Sequence, residues 1–162
     1  MNTTKNDEFF LKRAAELSRE GMEKNAGGPF GAVVAKNGEI VAEAYNEATS
    51  INDPTAHAEV LAIRRACERF SSFQLENCVL YTSAEPCPMC FGAIYWARLE
   101  RVVYANTREE AKAIGFDDSF IYDEIERAGS DSEQNIHFAH MPLEEAQQVF
   151  HDWEEKEDKT EY

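Results

Sequence analysis

Two short motifs, His57-Ala58-Glu59 and Pro86-Cys87-Pro88-Met89-Cys90, supply one imidazole, two thiols and a carboxylate. A closed structural zinc site takes four protein ligands, whereas three leave a position for water. With His57, Cys87 and Cys90 as ligands, Glu59 has one residue between it and the metal shell. A carboxylate there can move the protons of the water that fills the open position. One zinc ion per subunit is therefore the expected cofactor. The competing reading is a structural zinc with a fourth ligand, or a zinc-stabilised interaction module, with Glu59 an ordinary exposed helix residue. A lone C-x-x-C would be weak evidence; a His-x-Glu lying a helix and a strand upstream of Pro-Cys-x-x-Cys is specific. Cys67, ten residues beyond His57, lies ~15 Å further along a helix. Cys78 precedes Cys87 by ~20 Å or more of mostly extended chain. Both read as small core residues.

The elements that must position these groups alternate in type. Residues 8–24 read as an amphipathic helix with Phe10, Ala14, Leu17 and Gly21 on one face. A strand over 30–36 and another over 39–45 flank Asn37-Gly38, a type I′ hairpin signal. Asp53 as N-cap and Pro54 at the first position predict a helix to about Phe70, with Val60, Ile63, Cys67 and Phe70 as its buried stripe. A third strand spans 79–82, and Pro86 opens a helix running to about Arg98. A fourth strand covers 101–106 and a fifth 136–141. Between these last two lies a helical stretch, 108–125, interrupted at Gly115-Phe116-Asp117-Asp118, and a final helix covers 142–153. Both motifs fall at helix starts, where free N–H groups and the macrodipole favour thiolates. That draws charge from the sulfurs and offsets the weakening of a Lewis acid by two thiolate ligands.

Composition narrows the function. The chain has 162 residues, 43% hydrophobic, enough for one domain with a core. No stretch approaches the ~20 apolar residues of a membrane span. The opening residues lack the order of a signal peptide, and the cysteines are too few for a disulfide scaffold, so a cytoplasmic protein is expected. The net charge of −15 disfavours a polyanionic partner, because holding nucleic acid requires several phosphate-neutralising Lys and Arg. Residues 142–162 hold eight carboxylates and two lysines, with Val149, Phe150 and Trp153 as apolar anchors.

The H-x-E…P-C-x-x-C arrangement is the signature of zinc deaminases acting on nucleobases. On Gly28-Pro29-Phe30-Gly31-Ala32-Val33-Val34, Asn46, Thr55-Ala56-His57-Ala58-Glu59 and Glu85-Pro86-Cys87-Pro88-Met89-Cys90, the chain resembles the cytidine-deaminase-like superfamily. That resemblance implies a three-layer α/β/α domain with a five-stranded mixed sheet and hydrolytic exchange of an amine for oxygen on a heterocycle. Within the superfamily, Ala93-Ile94-Tyr95-Trp96-Ala97-Arg98, residues 115–122 and the Glu161-Tyr162 ending are similar to bacterial guanine deaminases. The similarity implies Glu59 and Asp118 as catalytic groups, and Asn46, Phe30, Ala58, Trp96, Asp118 and Tyr162 as contacts to a small purine base. It also implies a homodimer whose C-terminal segment, about 142–162, is exchanged between subunits. From the residues alone, Asp117 and Asp118 read equally as a cap or turn, Trp96 as core, and Asn46 as the end of a strand. The alternative substrates are adenosine in tRNA, cytosine or an aminotriazine.

Overall fold

β1 (Gly31–Lys36) lies inside the sheet and is buried along all but its last residue, which explains its nearly unbroken apolar sequence. The computed structural model describes residues 5–128 and 134–161, in two compact units that divide after Asp118. In the first, α1 (Lys5–Glu23) precedes β1 and β2 (Glu39–Tyr45), then α2 (Ala58–Phe70), β3 (Cys78–Ala84), α3 (Pro88–Trp96), β4 (Arg101–Asn106) and α4 (Arg108–Ala113). The sheet order is β2-β1-β3-β4. The β1–β2 and β1–β3 pairs are antiparallel, and β3–β4, joined through α3, is parallel.

Alternation along the strands makes the three layers. Ala32, Val34 and Leu80 pack with Ala62 and Ile63 of α2 and Ile94 of α3. Val33, Ala35, Tyr81 and Val103 pack with Phe10, Ala14 and Leu17 of α1. Asn37 and Gly38 both have positive φ, 53° and 81°, as a type I′ turn requires. The α1 layer is pinned by an ionic knot. Asp7, 1% exposed, accepts from Tyr81 Oη at 2.7 Å and from Arg101 Nη2 at 2.6 Å. On the outer edge, Arg65 donates to the Glu43 carbonyl at 2.7 Å and Arg69 to the Val41 carbonyl at 2.8 Å, so two α2 guanidinium groups cover exposed acceptors of β2.

In the second unit, α5 (Ser119–Ala128) and α6 (Glu144–Glu155) bury none of their described residues. Glu124 is its local hub, accepting from Arg127 and Asn135 side chains at 2.7 Å each. Val149, Phe150 and Trp153 are exposed.

Four expectations need correction. The sheet has four strands among the described residues: 136–141 forms no strand, with Ile136, Phe138 and Met141 exposed. Its alternation satisfies the side-chain requirement for a strand, but a strand also needs a neighbour's hydrogen bonds. Helix α2 starts at Ala58, not Pro54, because Asp53 Oδ1 is engaged by the Thr55 N–H and hydroxyl at 2.8 and 2.7 Å, closing a local turn. Helix α3 starts at Pro88, with Cys87 as N-cap, so the proline at the first position is Pro88 and not Pro86. Phe70 is 40% exposed, lying under the Lys36 ammonium at 5.2 Å instead of in the core stripe. No helix among the described residues is long and apolar enough to cross a membrane.

Candidate active site and metal centre

The late helix starts turn out to have chemical consequences, for they make His57 and Cys87 the N-cap residues of α2 and α3. Cys90 follows in the first turn of α3, so the two helix N-termini converge with their positive ends on one point. His57 Nδ1 lies 3.5 Å from Cys87 Sγ and 3.6 Å from Cys90 Sγ. The three ligand atoms lie within 4.8 Å of one another. A tetrahedral zinc with Zn–N of about 2.05 Å and Zn–S of about 2.3 Å separates nitrogen from sulfur by about 3.6 Å. Both the donor set and the triangle therefore fit zinc.

The helix ends and neighbours also shape the charges. Hydrogen bonding from Cys90 first, and then from His57, outweighs burial and lowers the Cys87 thiol to about 4. Cys90 is driven up by that shared proton, by burial and by the nearby Glu59 charge. Hydrogen bonding to Cys87 raises His57 against the opposing effect of burial. Glu59, 6% exposed, is pushed up chiefly by burial. Its burial removes the reading of an ordinary exposed helix carboxylate.

Around this centre the predicted contacts fall in different settings. Ala58, wholly buried, starts α2. Asn46 is buried at the end of β2, where its N–H donates to the Phe30 carbonyl at 2.9 Å and its Oδ1 accepts from Ala48 N–H at 3.1 Å. Phe30 meets Phe116 edge-to-face, with centroids 4.8 Å apart. Trp96, at the end of α3, is 60% exposed, which excludes core packing. Asp117 pairs with Lys112 at 3.1 Å. Asp118 differs: its Oδ1 is buried and has no hydrogen-bond partner. Burial raises Asp118, Arg108 lowers it and the Cys87 charge raises it again. Tyr162 lies outside the described residues.

Sequence reasoning passed over Gly27 and gave Phe116 no role. A Cβ on Gly27 would lie 2.1 Å from Asn46 Oδ1, and one on Gly28 would lie 2.9 Å from both the Phe30 and Phe116 rings. The Gly-Gly-Pro-Phe run signals such a close approach, since only glycine lets a backbone come this near.

This geometry belongs to a known class. Residues 4–106 match the family model for the cytidine and deoxycytidylate deaminase zinc-binding region, and the chain belongs to that family. Over 157 residues it is 52% identical to the guanine deaminase of Bacillus subtilis (strain 168), covering 97% of this chain and 99% of that one. The X-ray structure of guanine deaminase from Bacillus subtilis superposes with a TM-score of 0.91 at 51% identity, covering 100% of this chain and 99% of that one. A tRNA-specific adenosine deaminase of Aquifex aeolicus (strain VF5) is 44% identical over 98 residues, 60% of this chain and 64% of that protein.

Proposed function

We propose that the chain catalyses the zinc-dependent hydrolysis of guanine to xanthine and ammonia. The observation that carries the reaction is a three-ligand nitrogen–sulfur triangle of zinc dimensions beside a buried carboxylate. Zinc, when bound, supplies the Lewis acidity that makes water a nucleophile near neutral pH. His57, Cys87 and Cys90 hold it there. Glu59 carries both protons of the attacking water, the first to a ring nitrogen and the second to the exocyclic amine; a C–O bond forms at the ring carbon, the exocyclic C–N bond breaks, and ammonia leaves. In this reading Ala58 floors the pocket, Phe30 stacks on the flat base and Trp96 walls it.

Guanine is favoured among aminoheterocycles by its donors. It carries an amine next to a ring N–H, and Asp118 Oδ1 is a buried acceptor with no partner of its own. A ligand that satisfies such an oxygen gains the bond and removes a standing desolvation cost. In this reading Asn46, whose Oδ1 is engaged by Ala48, donates from its side-chain amide to a purine acceptor. The similarity to the Bacillus subtilis guanine deaminase extends over nearly the whole chain, past the 98 residues matched by the tRNA deaminase. The −15 charge opposes a tRNA substrate.

The active form in this reading is a cytoplasmic homodimer in which about residues 142–162 are exchanged and the partner's tail, with Tyr162, closes each site. The exposed Val149, Phe150 and Trp153 support it, since they need cover. The test is ammonia release by the zinc-loaded protein from guanine, adenine, cytosine, an aminotriazine and an anticodon stem-loop. Guanine turnover well above the rest is expected; activity confined to the stem-loop would overturn the substrate.

A further inference from the structure

The segment that delivers Asp118 is held at its two ends. α4 buries none of its residues, so core packing does not set its position. At its start Thr107 and Glu110 form a capping box, and the Arg108 N–H donates to Glu85 Oε2 at 3.0 Å, two residues before Cys87. At its end the chain reverses at Gly115 with φ of 99°, a left-handed conformation that side chains resist. The Gly115 and Phe116 N–H groups donate to the Lys112 and Ala111 carbonyls at 3.0 and 3.1 Å. That turn brings the Phe116 ring onto Phe30 at 4.8 Å and an interplanar angle of 87°. Gly28 is the floor beneath both rings, and a Cβ there would come within 2.9 Å of each. Phe116 remains 45% exposed, so its placement depends on this one ring-to-ring contact more than on general burial.

We infer that Phe116 is a positioning residue for deamination: clamped on Phe30 over Gly28, it fixes both the aromatic wall of the base slot and the reach of Asp118, two residues on. One ring thus couples stacking to hydrogen bonding. A shift of the Phe116 backbone moves the Asp118 carboxylate, while a shift of its ring releases Phe30. The inference deepens the proposed function and rests on it for the roles of Phe30 and Asp118.

The test compares Phe116→Ala, Phe116→Leu, Phe116→Tyr and Gly28→Ala in the zinc-loaded full chain. Zinc per chain and melting temperature are read beside kcat and KM. Phe116→Ala is expected to lose about 10²-fold in kcat/KM, the loss that a misplacement of ~1 Å produces, split between a raised KM and a lowered kcat. Phe116→Leu fills volume without an aromatic edge and should lose about tenfold, whereas Phe116→Tyr should stay within about threefold of wild type. Gly28→Ala should mimic Phe116→Ala, and its effect should shrink in a Phe116→Ala background, where the added methyl finds room. Phe116→Ala within about threefold of wild type would overturn the inference. So would equal loss in all three Phe116 variants together with lost zinc or a collapsed melt, which marks a scaffold role. Should Phe116→Ala not fold, Phe116→Leu and Gly28→Ala decide alone. If the wild type fails on guanine but acts on another amine of the panel, the proposed substrate falls, and the same variants read on that substrate still test Phe116.

Discussion

Replacing Asp7 with alanine should destabilise the protein while leaving its chemistry alone. Asp7 is 1% exposed and holds two groups separated from it by 74 and 94 positions, Tyr81 and Arg101. The substitution strips a buried hydroxyl and a guanidinium of their shared acceptor. Breaking one side of a buried ion pair typically costs about 3–5 kcal/mol. Two features place this case at the lower end. The Arg101 side chain is 24% exposed, and a cleft of about 170 Å³ beside Asp7, Tyr81 and Arg101 can admit water to the orphaned groups. We expect a loss of about 3 kcal/mol, or roughly 6–12 °C in Tm at about 2–4 °C per kcal/mol for a chain of this size. Asp7→Asn, which keeps an acceptor, should lose about half as much. Burial first, and then the bond to Asp7, push the Tyr81 phenol up to about 12. Its folded pKa is thus above the unfolded value of about 10, so this stability is intact below pH ~10 and is lost as pH rises through 12. Asp7→Ala should flatten that alkaline loss. The assay is thermal unfolding by circular dichroism between pH 7 and 11, beside guanine turnover at 25 °C. A Tm within 2 °C of wild type would refute the energetic reasoning. An unchanged Tm with lost turnover would move Asp7 from the scaffold to the site.

Three more outcomes follow from the site. Glu59→Gln should keep full zinc occupancy, because Glu59 is outside the ligand triangle, and lose about 10²–10⁴-fold in kcat, the usual worth of a positioned proton carrier; metal analysis and steady-state kinetics check both halves. Burial raises the folded pKa of Asp118 above its unfolded value, so its stability contribution, present at low pH, is lost as pH rises through the folded pKa. Asp118→Asn should therefore gain on wild type in Tm between pH 4 and 8 while its kcat/KM falls, and a pH-independent Tm difference would contradict this. If the tail closes a site as proposed, deleting residues 157–162 should cut activity at least tenfold, and full activity on truncation would remove the tail from the site.

The cluster of His57, Cys87 and Cys90 was legible in the sequence because zinc chemistry admits few donor types and needs them at set spacings. The order of strands and helices was also legible, since β1 reads as doubly buried and the Asn37-Gly38 turn is chemically distinctive. Helix starts were displaced because a proline after a capping residue marks a turn as well as a helix, and Asp53 spends its carboxylate on Thr55. The Phe30–Phe116 contact and the Asp7 knot were not legible, because nothing local ties residues so far apart in the chain. The expected fifth strand failed for a related reason: a strand's pattern is local, whereas its pairing is not.

The two α2 arginines that reach over the β2 edge bear on how this protein can associate. Arg65 and Arg69 occupy the Glu43 and Val41 carbonyls, which an incoming strand would otherwise use. Sheet-to-sheet growth is therefore blocked on the β2 side. A building block with one active edge forms a pair and then stops, while propagation into a fibre needs two. The guanidinium groups act as chain terminators: with the β2 edge closed, association through sheet edges cannot propagate into a fibre.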